Sequence, residues 1–382
     1  MNKVVAVHLY NDYSGSPKVL QQWLQQLTAQ YPVTVDLYTS AGPGFLSDLT
    51  GSTGITGFHQ PYRLLKNRWF RLFYLFFHQV NLFIRLLRYR NEPVVFYVNT
   101  MLPFGAILAG KVCGKKVVVH IHETSVKPIL LKKFYRAVIS RCASEIIYVS
   151  RYLQQTESFS SIPSRVVYNA LSDAFSREAL RFLTGKEATG ERQPFTVLML
   201  CSLKPYKGVY EFTELARAAG NIRFILVLNA DQEAINEFYK VPPPINLEVY
   251  GRQSDVHPFY QQAHLLMNLS RPDEWVETFG LTALEAMSYG LPVIVPPVGG
   301  IAEIVEDYVT GFRISCYQQQ EMIMRIHELM LDDQLYHRMS KAALEESQCF
   351  QPEASARKVY QTLFSGATHE LAGTEVTLNI PS

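Results

Sequence analysis

The chain has 382 residues, too many for one ordinary hydrophobic core, so its length points to two domains. Hydrophobic residues make up 48% and charged residues 18%, a composition that excludes a disordered chain. A formal net charge of +2 carries no signature of a nucleic-acid partner, so electrostatic arguments must be local.

The first apolar run, Val4 to Tyr10, stops at Asn11-Asp12. It is too short for a secretory signal followed by a cleavage site and reads as a buried strand. Short β-branched runs then alternate with longer helical patterns. Strands are predicted over Val4–Leu9, Val33–Tyr38, Val94–Val98, Lys116–Ile121, Glu145–Val149 and Arg165–Tyr168. A second series follows over Phe195–Leu200, Arg223–Leu228, Asn246–Tyr250, His264–Asn268, Pro292–Val295 and Phe312–Ile314. Apolar strands separated by helices mean parallel sheets covered on both faces. Two such series mean two α/β domains in tandem. The expected division is a first domain over 1–172, a linker over 173–194 and a second domain over 195–348. A helix over 349–366 is expected to cross back to the first domain, ahead of a polar tail over 367–382. Ligands of parallel sheets collect at the carboxyl ends of strands, so the cleft between the two sheets is the expected site.

No apolar run of about 18 residues occurs, so no membrane-spanning helix is expected. Cys113, Cys142, Cys201, Cys316 and Cys349 are scattered and lack a C-x-x-C pair. They read as small buried thiols of a reducing compartment, and no zinc site is expected. The expected location is cytoplasmic.

The segment Arg271 to Gly300 is the most informative. Glu277 and Glu285 are separated by seven residues, and between them Thr278 is expected to cap a helix whose first turn holds Phe279 and Gly280. A helix N-terminus with free N–H groups binds a diphosphate. Gly280 admits close approach of the phosphate, and Leu281 begins the apolar face. Glu277 is placed to accept hydrogen bonds from sugar hydroxyls, and Glu285, two turns on, from ribose hydroxyls. Val298-Gly299-Gly300-Ile301-Ala302 is expected to form a second N–H cradle. Two glutamates alone favour a plain structural reading, Glu277 capping a helix and Glu285 on a solvated face. The order of loop, helix, strand and Gly-Gly favours the phosphate site.

The string E-T-F-G-L-T-A-L-E-A-M-S-Y-G-L-P-V-I resembles the E-x7-E signature of family 4 glycosyltransferases of the GT-B fold. That fold is α/β: two Rossmann-like parallel-sheet domains facing across a cleft. The resemblance implies a retaining transferase of bacterial envelope polysaccharide type that moves a hexose-type sugar from a UDP- or GDP-linked donor to a glycan or lipid-linked acceptor. The N-terminal domain would bind the acceptor and the C-terminal domain the donor. Glu277 would contact the donor sugar, Phe279 and Gly280 the diphosphate, and Glu285 the ribose. Lys207 would neutralise the leaving diphosphate, whose charge grows in the transition state. His122, after Val117–Ile121, would stand at the cleft near the transferring sugar as the third catalytic residue, with His120 and Glu123 beside it. The loop Asn11, Ser14, Gly15 and Ser16 would lie on the acceptor side. Ser150 and Asn169-Ala170 also match family strand-end positions. Base contacts are expected around Tyr250, Gly251 and Arg252. In the family, the acceptor hydroxyl attacks from the face the leaving group departs.

One departure stands out. Cys201-Ser202-Leu203 occupies the place of the family's Gly-Arg-Leu, so one phosphate cation is missing, with Lys204 or Arg271 as expected substitutes. No cofactor and no metal are implied, for no Asp-x-Asp pair occurs. Only Gly15 stands where a dinucleotide enzyme needs G-x-G-x-x-G. Gly105 to Val112 mimics a phosphate-loop spacing but ends in Val112, not Ser or Thr, and reads as an apolar helix. The alternatives kept open are another GT-B enzyme, such as an epimerase or phosphorylase, and a non-catalytic homologue.

Residues 61–91 interleave basic and aromatic side chains without an acid, and 127–141 add a second basic cluster. Both suit contact with an anionic membrane such as the inner face of the plasma membrane, and equally two packed helices with solvated ends.

Overall fold

The structure, a computed structural model, describes residues 2–49, 51–60, 68–124, 126–185 and 194–364. Residues 186–193 of the expected linker, the tail 367–382 and residues 61–67 of the basic–aromatic segment, with Arg63 and Lys66, lie outside the described residues.

The first series of elements runs β1 (Asn2–Val7), α1 (Gly15–Gln30), β2 (Val33–Ser40), β3 (Ile55–Gln60), α2 (Arg68–Leu86), β4 (Val94–Asn99), α3 (Phe104–Val112), β5 (Val117–Ile121), α4 (Ile129–Cys142), β6 (Glu145–Tyr148), α5 (Arg151–Thr156) and β7 (Ser164–Val166). After α6 (Asp173–Gly185) come β8 (Thr196–Cys201), α7 (Val209–Ala218), β9 (Arg223–Leu228), α8 (Gln232–Phe238), β10 (Leu247–Tyr250), α9 (His257–Gln262), β11 (Leu265–Met267), α10 (Leu281–Ser288), β12 (Val293–Val295) and β13 (Gly311–Arg313). Three helices close the described chain: α11 (Gln319–Leu331), α12 (Asp333–Ser347) and α13 (Pro352–Phe364).

The strands form two sheets, seven-stranded in the order β3-β2-β1-β4-β5-β6-β7 and six-stranded in the order β10-β9-β8-β11-β12-β13. Every ladder is parallel. Alternation along β1 shows why both faces are covered. Val4 and Ala6 face one core with Leu20 and Leu24 of α1, while Val5 and Val7 face the other with Leu82 and Leu86 of α2.

Strand order reverses between β1 and β4 in one sheet and between β8 and β11 in the other. The loops leaving such neighbours diverge to opposite faces and open a crevice. The two crevices face each other across the molecule.

Three features differ from the expected elements or went unread. β3 is absent from the predicted strands: its ITGFHQ alternates weakly and buries only its ends, Ile55 and Gln60, as suits an edge strand. β1 ends at Val7, so His8 and Leu9 belong to the loop entering the cleft. Residues 173–185 are helical, because Phe175 and Phe182 bury against Tyr260 and Tyr289 of the second domain. α13 lies on the first domain: Tyr360 stacks on Tyr31 at 3.9 Å, and Ser355 Oγ donates to the Tyr168 carbonyl at 2.9 Å.

Candidate functional site

A cavity of about 1720 Å³ lies between the two sheets, lined by the loops after β1, β4, β5 and β7 on one side and β8, β9, β10 and β11 on the other. It brings together His122, Glu123, Ser14, Gly15 and Ser16 from the first domain with Ser202, Lys207, Arg252, Thr278, Phe279, Gly280, Leu281, Glu277 and Glu285 from the second.

Glu277 and Lys207 form its charged centre. Lys207 ends the tight turn after β8, and Gly208 closes it at φ +80°, where a Cβ would lie 2.2 Å from the Leu269 carbonyl oxygen. The Lys207 Nζ donates to Glu277 Oε1 at 2.5 Å and stands 4.8 Å from the Trp275 ring centre. Ser270 Oγ and Asn268 Nδ2 donate to the same oxygen at 2.8 and 3.4 Å. Burial acts to raise the Glu277 carboxyl, but the Lys207 ammonium and these hydrogen bonds outweigh it and hold the group below its ordinary value. Glu277 is therefore an acceptor of hydrogen bonds and not a proton donor at neutral pH.

The helix after Glu277 starts later than expected. Thr278 is not its cap; Gly280 is, at φ +97°, and α10 begins at Leu281. No side chain caps this end and no acid stands in its first turn, so its leading amides and dipole are directed at the cavity. The Gly299-Gly300 cradle is corrected. The Gly300 N–H donates to the Glu277 carbonyl at 2.8 Å, and neither glycine lines the cavity. The turn instead packs against the motif loop and the first domain. Next to it, Glu303 accepts from the amides of Arg151 and Tyr152, at 3.0 and 2.5 Å, and from Tyr168 Oη at 2.8 Å.

Glu285 is buried, not solvated. One oxygen accepts from Tyr260 Oη at 2.7 Å, and the other pairs with Lys18 of α1, across the cleft. Lys18 was not read as a site residue. The available signal was a lysine in the first turn of a helix without an acid there, against the macrodipole.

On the first domain's side, His122 is held by Asn99, whose Oδ1 accepts from His122 Nε2 at 2.8 Å. Asn99 Nδ2 donates to the Ser16 carbonyl at 3.2 Å, which fixes the amide's orientation and leaves the His122 Nδ1 lone pair free of a proton. Burial, then His120 and His8, holds His122 well below the ordinary imidazole range. Burial also lowers His8 to about 4 and His120 to about 3. Glu123 accepts from the amides of Met101 and His122 at 2.8 and 3.1 Å, yet burial raises it to about 7. His120 lies behind the cavity, its Nδ1 bonded to Tyr97 Oη at 2.5 Å. Asn11 is also behind it, tying its loop to Gly42, Ser47 and the Leu46 amide.

Some expected residues stand apart. Arg271 does not line the cavity, because Glu211 and Glu274 hold its guanidinium at 2.7 and 2.8 Å; Lys204 is not in the lining either. Neither therefore stands in the cavity as the expected substitute for the arginine that Ser202 replaces. Tyr250 donates to Glu248 at 2.7 Å and Gly251 packs near Ala230, so of that trio only Arg252 reaches the cavity, bonded to Asn229 at 2.8 Å. Ser150 caps α5 through the Leu153 amide, whereas Asn169 does line the cavity. Among the described residues no group of three His, Cys, Asp or Glu is placed to hold a metal ion.

Residues 184–346 match the sequence model of the family described as glycosyl transferases group 1. Among solved structures, Anabaena Alr3699/HepE in complex with UDP and glucose superposes with a TM-score of 0.76 over 96% of this chain and 100% of that one, at 20% identity. WaaG, a glycosyltransferase involved in lipopolysaccharide biosynthesis, superposes with a TM-score of 0.67 over 95% of this chain and 100% of that one, at 15% identity. The Arabidopsis thaliana sulfoquinovosyl transferase SQD2 is 33% identical over 94 residues, which are 24% of this chain and 18% of that protein. The matches span between 9% and 41% of the curated relatives' own lengths.

Proposed function

We propose, for a chain that has the GT-B fold and a second domain matching the group 1 glycosyl transferases, that it moves a sugar from a nucleoside diphosphate sugar onto an acceptor hydroxyl, with retention at the anomeric carbon. The observation that carries this is the convergence of the Lys207 ammonium, the Glu277 carboxylate and the uncapped α10 N-terminus in one interdomain cleft. Lys207 and the α10 amides stabilise the leaving diphosphate, and Glu277 holds donor-sugar hydroxyls. The C1–O bond to phosphate breaks, the acceptor oxygen bonds to C1 on the same face, and its proton passes to the departing phosphate oxygen. Two cationic and dipolar groups of the chain meet this charge, which supports a reaction without metal. His122, neutral and fixed by Asn99, faces the sugar. The UDP complexes among the structural neighbours favour a UDP-linked hexose.

The acceptor we infer is lipid-linked, at a membrane surface. α2, α3 and α4 contain no carboxylate, and Phe73, Phe77 and Ile84 of α2 and Leu130 of α4 are each more than half exposed. Leu72, Leu75 and Leu131 of α2 and α4 line the cavity itself, so apolar wall runs from cleft to surface. No helix among the described residues is long and apolar enough to cross a membrane.

The test incubates labelled nucleotide-sugars with detergent-extracted lipid acceptors. Label is expected in an acceptor-linked product, and Glu277→Gln should remove it while circular dichroism stays unchanged. Label converted to another sugar nucleotide without acceptor would establish an epimerase instead. Flotation with anionic vesicles checks the surface: Phe73→Ser/Phe77→Ser should lose binding that wild type shows, and equal flotation defeats that part.

A further inference from the structure

We propose that Lys18 is a second cation for the donor diphosphate, supplied by the first domain, and that nucleotide binding exchanges its ion pair with Glu285 for a pair with phosphate. This rests on the donor-site reading above and names a residue that reading does not contain.

Charge balance makes the case first. Around the α10 N-terminus the cavity wall carries two cations, Lys18 and Lys207, and two carboxylates, Glu277 and Glu285, each cation paired with one carboxylate. A nucleoside diphosphate adds at least two negative charges beside these two neutral pairs. Ser202 supplies no charge, and Arg271 is committed to Glu211 and Glu274. Arg252 also lines the cavity, bonded to Asn229 and 5.6 Å from the Tyr13 ring centre, but Lys18 is the first-domain ammonium already paired with a carboxylate of α10.

Position makes the case second. Lys18 lies in the first turn of α1, whose N-terminal Gly15 stands 4.0 Å, from an added Cβ, to Leu281 Cδ1 at the start of α10. Two uncapped helix N-termini thus face one another, and Lys18 projects between them. Within its own helix the lysine opposes the macrodipole, so its placement is explained by a partner outside the helix. Its ammonium lies 5.9 Å from the Phe45 ring centre and 5.7 Å from that of Phe175, which confines it to the cleft. Rotation about its four-carbon stem moves the charge by several Å without backbone change.

Glu285 makes the exchange affordable. Its second oxygen keeps the Tyr260 hydroxyl, and burial, then Glu285 itself, holds that phenol protonated far above its ordinary range. Ribose hydroxyls can take the oxygen Lys18 leaves, so the buried carboxylate is never without donors.

The exchange separates nucleoside binding from diphosphate binding. Lys18→Met removes the competitor for Glu285 and also the phosphate cation. A nucleoside should then bind as well as to wild type or better, while the matching nucleoside diphosphate weakens by about ten- to a hundred-fold. Calorimetry on the full chain with UDP, GDP and ADP, and with uridine, guanosine and adenosine, reads both, and Lys18→Arg should restore most diphosphate affinity. Lys18→Gln takes the place of Lys18→Met where that variant melts early. Equal weakening of nucleoside and diphosphate overturns the proposal, since Lys18 would then only hold the lobes together. Unchanged diphosphate affinity overturns it as well. Wild type that binds no nucleotide of the panel removes the donor-site reading itself, a distinct result.

Discussion

Replacing Lys207 by Met keeps the stem and removes the charge that faces Glu277. In the wild type the Lys207–Glu277 pair is enclosed, with side chains 14% and 16% exposed. Removing one partner of such a pair costs about 3–5 kcal/mol when burial is complete, and here roughly 2–3 kcal/mol after allowing for residual solvent. Ser270 and Asn268 still donate to the carboxylate, but burial is no longer outweighed. The folded-state pKa of Glu277 then moves from below its unfolded value to above it. In wild type the group contributes stability that is present above the unfolded pKa and is lost as pH falls. In the variant the sign reverses: stability is lost as pH rises through the raised pKa. The gap between the two proteins should therefore be widest at pH 8 and shrink toward pH 4.5. Urea denaturation at both pH values measures it, with the slopes compared to confirm that only the midpoint moves. Turnover should fall by about 10²–10³, the cost of one preorganised charge partner at a developing anion. Lys207→Met/Glu277→Gln should recover part of the stability and none of the turnover. An equal gap at both pH values, or turnover within a few-fold of wild type, would refute the electrostatic reading.

Gly300→Ala places a Cβ 2.0 Å from the Thr278 carbonyl oxygen and 2.7 Å from Ser150 Cβ, so it should cost about 1–3 kcal/mol or more and displace the Glu277 loop. Gly220→Ala, with nothing within 4 Å, is the matched control in the same thermal melts and should be neutral. Glu123 is raised to about 7 by burial, so the folded state holds its proton longer than the unfolded one and stability falls as pH rises from about 4.5 to 7. Glu123→Gln should gain on wild type across that window by up to on the order of 3 kcal/mol, read from urea midpoints at pH 5 and pH 8.

The second-domain half of the site is legible because its parts are local. Glu277, Gly280 and Glu285 lie within one loop and the helix it feeds, and spacing along a helix fixes their relation. The alternating apolar runs likewise mark most strands, since a parallel strand buried on both faces must be apolar throughout. β3 escapes because an edge strand has no such requirement. Lys18 escapes because its partner lies 267 residues away, on an element that only tertiary packing brings near. Gly299-Gly300 misleads for the same reason. A Gly-Gly pair before a short helix fits a phosphate cradle, but its close neighbours are the Thr278 carbonyl and Ser150 of the other domain. Arg271 shows how composition deceives: a cation beside the motif is spent on Glu211, fixed by α7 and not by the motif. Asn99 is a plain strand-end residue until the fold sets His122 against it.

A crystal structure with bound nucleoside diphosphate bears most directly on the proposed diphosphate site. The β-phosphate is expected within hydrogen-bond reach of the Lys207 ammonium and the amides that open α10. A nucleotide seated outside the interdomain cleft, or one whose phosphates point away from Lys207 toward solvent, would contradict it.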